Sequence, residues 1–112
     1  MRRGEVWDID FPADFPADFP APAGRRPAVL LTRDVILDRL DTVTVAPVTS
    51  TIRGIPTEVQ IDENSGLDHV SAVSCDNVTT VPQRLCLRRR GTVDPATAQY
   101  IAAAVRLALD LD

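Results

Sequence analysis

Asp94-Pro95 opens the one stretch of this chain that keeps a long helical period, so a fold must be built from strands before it. Asp is a favoured N-cap, and Pro suits the first helical position, where an N–H would have no partner. Ala98, Ile101, Ala102, Val105, Ala108 and Leu109 then recur at spacings of three and four, which gives the helix one apolar face. A single helix needs another layer to cover that face, most simply a sheet. Residues 4–11 alternate polar and apolar, though imperfectly; residues 28–31 are a continuous apolar run. Residues 42–48 alternate β-branched side chains, and Pro47 near the end of that run suggests an edge or a bulge. Further strands fall at residues 57–61 and 71–78, with 79–81 extending or re-entering the last, and one more within 84–93. Residues 34–41 read as a helical turn or crossover, 49–56 as a polar loop around Gly54, and 63–68 as a turn cluster. The expectation is a mainly β single domain over residues 1–112. Five or six short strands would form a small, partly closed SH3-like barrel with a C-terminal helix.

One segment cannot join that sheet. Residues 12–22 read PADFPADFPAP, and Pro at this density continues neither strand nor helix. Residues 12–24 are therefore expected to form a mobile, acidic Pro/Ala/Asp-rich loop closed by Gly24. Hydrophobic residues are 45% of the chain and aromatics only 4%, so the core is aliphatic. No apolar run reaches the roughly 18 residues of a membrane span, and no apolar stretch follows Arg2-Arg3 as in a signal peptide. The expected location is the cytoplasm, with no membrane partner. Cys75 and Cys86 form no C-x-x-C pair and are expected as buried thiols. With His69 the only histidine, a zinc site of ordinary ligand spacing is excluded, and nothing around His69 supports a Ser-His-Asp triad.

A net charge of −4 argues against nucleic-acid binding, but its distribution does not. Every basic residue is Arg, whose planar fork suits phosphate. Residues 23–53 and 84–93 are net positive, whereas 1–22 and 54–83 are net negative. The densest patch is Arg84 with Arg88-Arg89-Arg90, readable as an RNA or acidic-tail surface or as a charged edge strand guarded against aggregation.

Four segments carry a resemblance. RRGEVWDIDF (2–11), GRRPAVLLTRD (24–34), TVTVAPVTSTIRGIPTEVQID (42–62) and SAVSCDNVTTV (71–81), followed by the terminal helix, stand in the order of the MazF/PemK/Kid toxins of toxin–antitoxin pairs. The chain resembles that family over nearly its whole length. The resemblance implies a CcdB/PemK-type toxin fold, a homodimer, cleavage of single-stranded RNA and neutralisation by a cognate MazE-like antitoxin. It also implies an active-site Arg before the Pro of the second strand, here Arg26, and a Thr where the third strand ends, here Thr49. Taken alone, Arg26 reads as a surface residue at a strand start, and Thr49 as a β-former or turn residue.

The pair makes chemical sense. RNA carries its own nucleophile, the 2′-hydroxyl, and in-line attack builds negative charge on the phosphorane oxygens. A fixed guanidinium and a hydroxyl donor stabilise that charge. The expected products are a 2′,3′-cyclic phosphate and a 5′-hydroxyl, with no metal or other cofactor. The general base is less clear. Relatives carry an Arg-x-Asp where this chain has Ser74-Cys75-Asp76, so the carboxylate is kept and the Arg is lost. Asp76 is a candidate proton acceptor or base reader and Asn77 a candidate base contact; the alternative is an Asx turn. Where many relatives carry a Glu before the site Arg, this chain has Ala21. Arg25, Ser50, Thr51 and Arg53 complete the candidate RNA contacts. The competing class is the CcdB-like gyrase poison, a non-enzymatic toxin of similar architecture. It relies on a C-terminal Trp-Gly-Ile, whereas this chain ends Leu-Asp-Leu-Asp with its one Trp at position 7.

Overall fold

The computed structural model describes residues 1–12 and 24–112, so the Pro-Ala-Asp repeat, with the loop expected of it, lies outside the described residues apart from its first Pro. The strands are β1 (Glu5–Phe11), β2 (Gly24–Leu30), β3 (Thr42–Thr49), β4 (Glu58–Ile61), β5 (Ser71–Ser74), β6 (Thr79–Pro82) and β7 (Cys86–Thr92). Two helices complete the order, a single turn α1 (Asp34–Leu37) and the terminal α2 (Pro95–Ala108). All pairings are antiparallel and run β4-β5-β3-β2-β1-β7, with β6 also on β3. Among the described residues seven strands form where five or six were expected. Part of the excess is the stretch from Ser71 to Pro82, which is two short strands broken by a 3-10 turn at Cys75–Asn77.

That break explains β3. One edge of β3 pairs with β2, while the other pairs with β6 through Thr42–Val45 and with β5 at Val48 and Thr49. Pro47 is therefore inside the sheet, not at an edge, which was one of the two settings its residue type suggests. The Leu31 N–H donates to the Thr44 carbonyl (2.8 Å), which sets the phase of the β2–β3 ladder. In that phase the Pro47 nitrogen faces away from β2, into the gap between the β6 and β5 ladders, where no strand asks for a donor.

Both faces of the sheet are covered, which is why the second strand reads as an unbroken apolar run. Val29 packs on one side with Val6, Ala46, Val48, Ile61 and Val73. Ala28 and Leu30 pack on the other with Ile9, Phe11, Val43, Val45, Val81 and Leu37 of α1. α2 closes the first side through Ile101 and Ala104, with Val105 and Ala108 partly buried beside them. Asp94 caps it as its sequence predicted, accepting from the Thr97 N–H at 2.7 Å. The packed face is rotated from the expected one: Ala104 joins it, while Ala98 and Leu109 stay exposed. Leu109 stands at the C-cap, past the last full turn.

The sheet does not close by pairing its outer strands. Instead the segment between β4 and β5 leans on β7. A 3-10 turn at Glu63–Ser65 ends in Gly66, whose φ of 93° is left-handed. Gly66 and Gly91 then approach backbone to backbone. This contact holds residues 66–70 over the ends of β2 and β3.

Candidate functional site

The strand ends gather the predicted residues. The β2–β3 ladder ends at Ala28 opposite Pro47. Beyond that end β2 carries Arg26 and Arg25, with Arg26 paired to Ile9 of β1, and β3 runs on to Thr49 and Ser50, with Thr49 paired to Ala72 of β5. A cleft of about 210 Å³ wraps these ends, lined by Arg25, Arg26, Val48, Ser50, His69 and Arg90 among others.

Each group has a defined setting. Arg26 is half-buried, and burial draws its guanidinium below the ordinary value. It still carries its charge near neutrality, since arginine starts so high. Thr49 is 6% exposed, and its hydroxyl oxygen accepts the Thr51 N–H at 3.1 Å. That bond turns the chain so that exposed Ser50 reaches the cleft, while the Thr49 hydroxyl proton remains available to donate. Thr51 thus enters through its main chain.

Three predicted residues stand apart. Asp76 sits on the turn after β5, and antiparallel pairing of β5 with β3 carries it away from the Thr49 end. Its carboxylate accepts from the Thr57 hydroxyl at 2.5 Å and ties that turn to the start of β4. Asn77 donates to the Ser74 hydroxyl at 2.7 Å. Arg53 forms an ion pair with Glu58 at 3.2 Å, and Glu58 also accepts the N–H groups of Arg53 and Gly54. Burial alone would raise the Glu58 pKa, but these hydrogen bonds and the Arg53 charge outweigh it and the net direction is down. The loop of residues 53–58 is thereby closed on itself.

The basic patch also has a structure its sequence hid. Arg88 reaches Asp8 (3.5 Å) and Arg89 reaches Glu5 (2.9 Å). Arg90 reaches Asp8 (3.0 Å), Asp68 (3.2 Å) and the Gly66 carbonyl (3.2 Å). These three arginines are paired with acids and bind β7 to β1 and to the loop over the cleft. Sequence proximity groups the positive charges, whereas their partners stand on β1, at Glu5 and Asp8, or on the loop at Gly66 and Asp68, which no local pattern reveals.

His69 is the lining residue that sequence reasoning set aside. The sequence offers one signal for it, its place in a turn-rich segment beside the site. The cysteines offer no nucleophile here. Cys75 is buried, and burial with the nearby Asp76 charge pushes its thiol up to about 11. Cys86 is half-buried and also raised by burial, and both are free thiols. Among the described residues no three His, Cys, Asp or Glu side chains gather as metal ligands would. No described helix is long and apolar enough to cross a membrane.

Comparison with known proteins agrees with this architecture. The chain is 44% identical over 87 residues to endoribonuclease MazF3 of Mycobacterium tuberculosis, covering 78% of this chain and 84% of that protein. Its structure superposes on the M. tuberculosis toxin MazF-mt6 with a TM-score of 0.83 at 36% identity, covering 96% and 98% of the two chains. It also superposes on a mycobacterial endoribonuclease solved in complex with its cognate antitoxin, with a TM-score of 0.80 at 25% identity, covering 100% and 97%. The family model of PemK-like, MazF-like toxins of type II toxin–antitoxin systems matches residues 2–109, and the chain belongs to that family.

Proposed function

We propose that this endoribonuclease cuts single-stranded RNA at the β2–β3 strand ends, with Arg26 and Thr49 as the core of its catalytic site. The observation that carries the reading is a basic cleft at the ends of β2 and β3, lined by Arg25, Arg26 and Ser50, with Thr49 next to Ser50 in the chain but outside the lining. Arg26 stabilises the charge that builds on the phosphorane oxygens as the 2′-hydroxyl attacks, and the Thr49 hydroxyl donates to the same oxygens. The P–O5′ bond breaks, leaving a 2′,3′-cyclic phosphate and a 5′-hydroxyl, and no step calls for a metal. Arg25 and Ser50 hold the RNA backbone along the cleft. Arg53 and Thr51 shape the neighbouring loop, and Asp76 and Asn77 act at a distance by fixing the start of β4. As in the antitoxin complex of its structural neighbour, a cognate antitoxin is the expected inhibitor. The working form is a homodimer in the cytoplasm.

The test is incubation of the purified protein with an RNA pool in the presence of chelator. Wild type should cleave and yield cyclic-phosphate ends. Arg26→Ala should lose about 100-fold or more in rate, as for other oxyanion donors, with the fold intact. Intact RNA accompanied by gyrase inhibition would overturn the reading in favour of the non-enzymatic poison.

A further inference from the structure

The geometry points to His69 as the proton acceptor for the 2′-hydroxyl in the strand-end cleft. The inference rests on the cleavage reading above and supplies the group it lacks.

Attack by a 2′-hydroxyl needs something to take its proton. Among the described residues the groups along the cleft are few. Arg25, Arg26 and Arg90 hold their protons near neutrality. Asp68 is tied to Arg90 at 3.2 Å. Asp8, the carboxylate beneath, is 7% exposed and shared between Arg88 and Arg90. Ser50 and Ser71 are weak bases. Asp76 lies at the other end of β5, bonded to Thr57. His69 lines the same cleft as Arg26, it is exposed, and imidazole is the side chain suited to proton transfer at neutral pH.

The surrounding structure holds His69 in place. The Arg90 guanidinium grips both the Gly66 carbonyl and the Asp68 carboxylate, the residues that lead into it. Behind them the Gly66–Gly91 contact leaves no room for the loop to sink toward β7. On the far side the Ser71 hydroxyl donates to the His69 carbonyl at 3.2 Å, not to the ring. The main chain is held on both sides, and the exposed His69 lines the cleft. In the step proposed, a ring nitrogen takes the 2′-hydroxyl proton as O2′ bonds to phosphorus. The P–O5′ bond breaks, and the departing 5′-oxygen takes a proton from water.

Single-turnover cleavage of an RNA oligomer by wild type, His69→Gln and His69→Ala tests this, beside binding of the same oligomer with 2′-deoxyribose at the cleaved position. Among the described residues Arg25, Arg26, Arg90 and Asp68 are the charged groups that line the cleft with His69, and all four are kept. His69→Gln should cut the rate about 100-fold or more, within the usual range for a lost general base, with oligomer affinity within twofold. The acid limb of the wild-type rate profile should vanish in the variant, and added imidazole should restore part of the rate to His69→Ala. A His69→Gln rate within threefold of wild type would overturn the proposal, as would a loss matched by lost affinity. If wild type cleaves and Arg26→Ala does not while His69→Gln does, His69 alone is excluded. If wild type leaves RNA intact, the cleavage reading itself falls.

Discussion

Gly66 and Gly91 touch through their main chains beneath the cleft. A β-carbon on Gly66 would stand 2.2 Å from the Arg90 carbonyl oxygen, and one on Gly91 would stand 2.4 Å from that of Ser65. Neither obstacle is a side chain that could swing aside. Gly91→Ala should therefore force the loop of residues 65–70 off β7. Overpacking of this kind costs about 1–3 kcal/mol, and backbone obstacles put the expected loss near the top of that range. Gly66→Ala should do worse, because its left-handed φ adds strain. Gly54→Ala is the control: it has a left-handed φ but open space around it, so only the strain of about 1–2 kcal/mol remains. Urea unfolding midpoints would rank the three variants.

Arg90 makes a prediction in which stability and cleavage part company. Its side chain is 14% exposed and that of Asp8 10%, so their pair is largely removed from water. Removing one partner of a buried pair costs about 3–5 kcal/mol, but Arg88 remains on Asp8 and the site opens to solvent. Arg90→Met should lose about 2 kcal/mol by urea unfolding. Arg90→Lys should recover only part, because an ammonium cannot reach Asp8, Asp68 and the Gly66 carbonyl at once. Cleavage by Arg90→Lys, measured where the variant is fully folded, should still fall, since the loop bearing His69 has lost its clamp. Unchanged cleavage in that folded variant would deny the loop a positioning role.

Glu58 predicts an acid limb in stability. Burial pulls its carboxyl up, but hydrogen bonds from Arg53 and Gly54 and the Arg53 charge outweigh that and hold it below the ordinary glutamate range. A depressed carboxylate stabilises the fold fully above its unfolded pKa and loses that contribution as pH falls through the folded value. The stability difference between wild type and Glu58→Gln should be level from pH 7 to about 5 and shrink below about 4.5. Urea unfolding across that range measures it. A difference that grew on acidification would refute the assignment.

The parts of this molecule legible in its residues are those set by local rules. Asp94 and Pro95 mark a helix start wherever they occur together, and alternation at residues 42–48 has one structural meaning. Pro47 misled because the rule against Pro inside sheets is about a missing donor. Here two partner strands leave a gap where that donor would have pointed. Ala104 was missed since small apolar residues occur all round α2, and only the curvature of the sheet decides which of them is covered. At the site, Arg26 and Thr49 were readable through the order of four segments. The role of Arg90 was not, as it depends on Asp8 and Asp68 arriving from distant parts of the chain. His69 was discounted for the same reason: its neighbours in space are not its neighbours in sequence.

The turn Cys75–Asn77 acts as a spacer of fixed length. β5 meets β3 with Val73 against Val48, and β6 meets it with Thr79 against Val45, so the two ladders are out of step by the three residues of that turn. Deleting one of them would leave β6 able to keep its place beside β3 only by turning over, with Val81 sent to solvent and Thr80 driven into the aliphatic core.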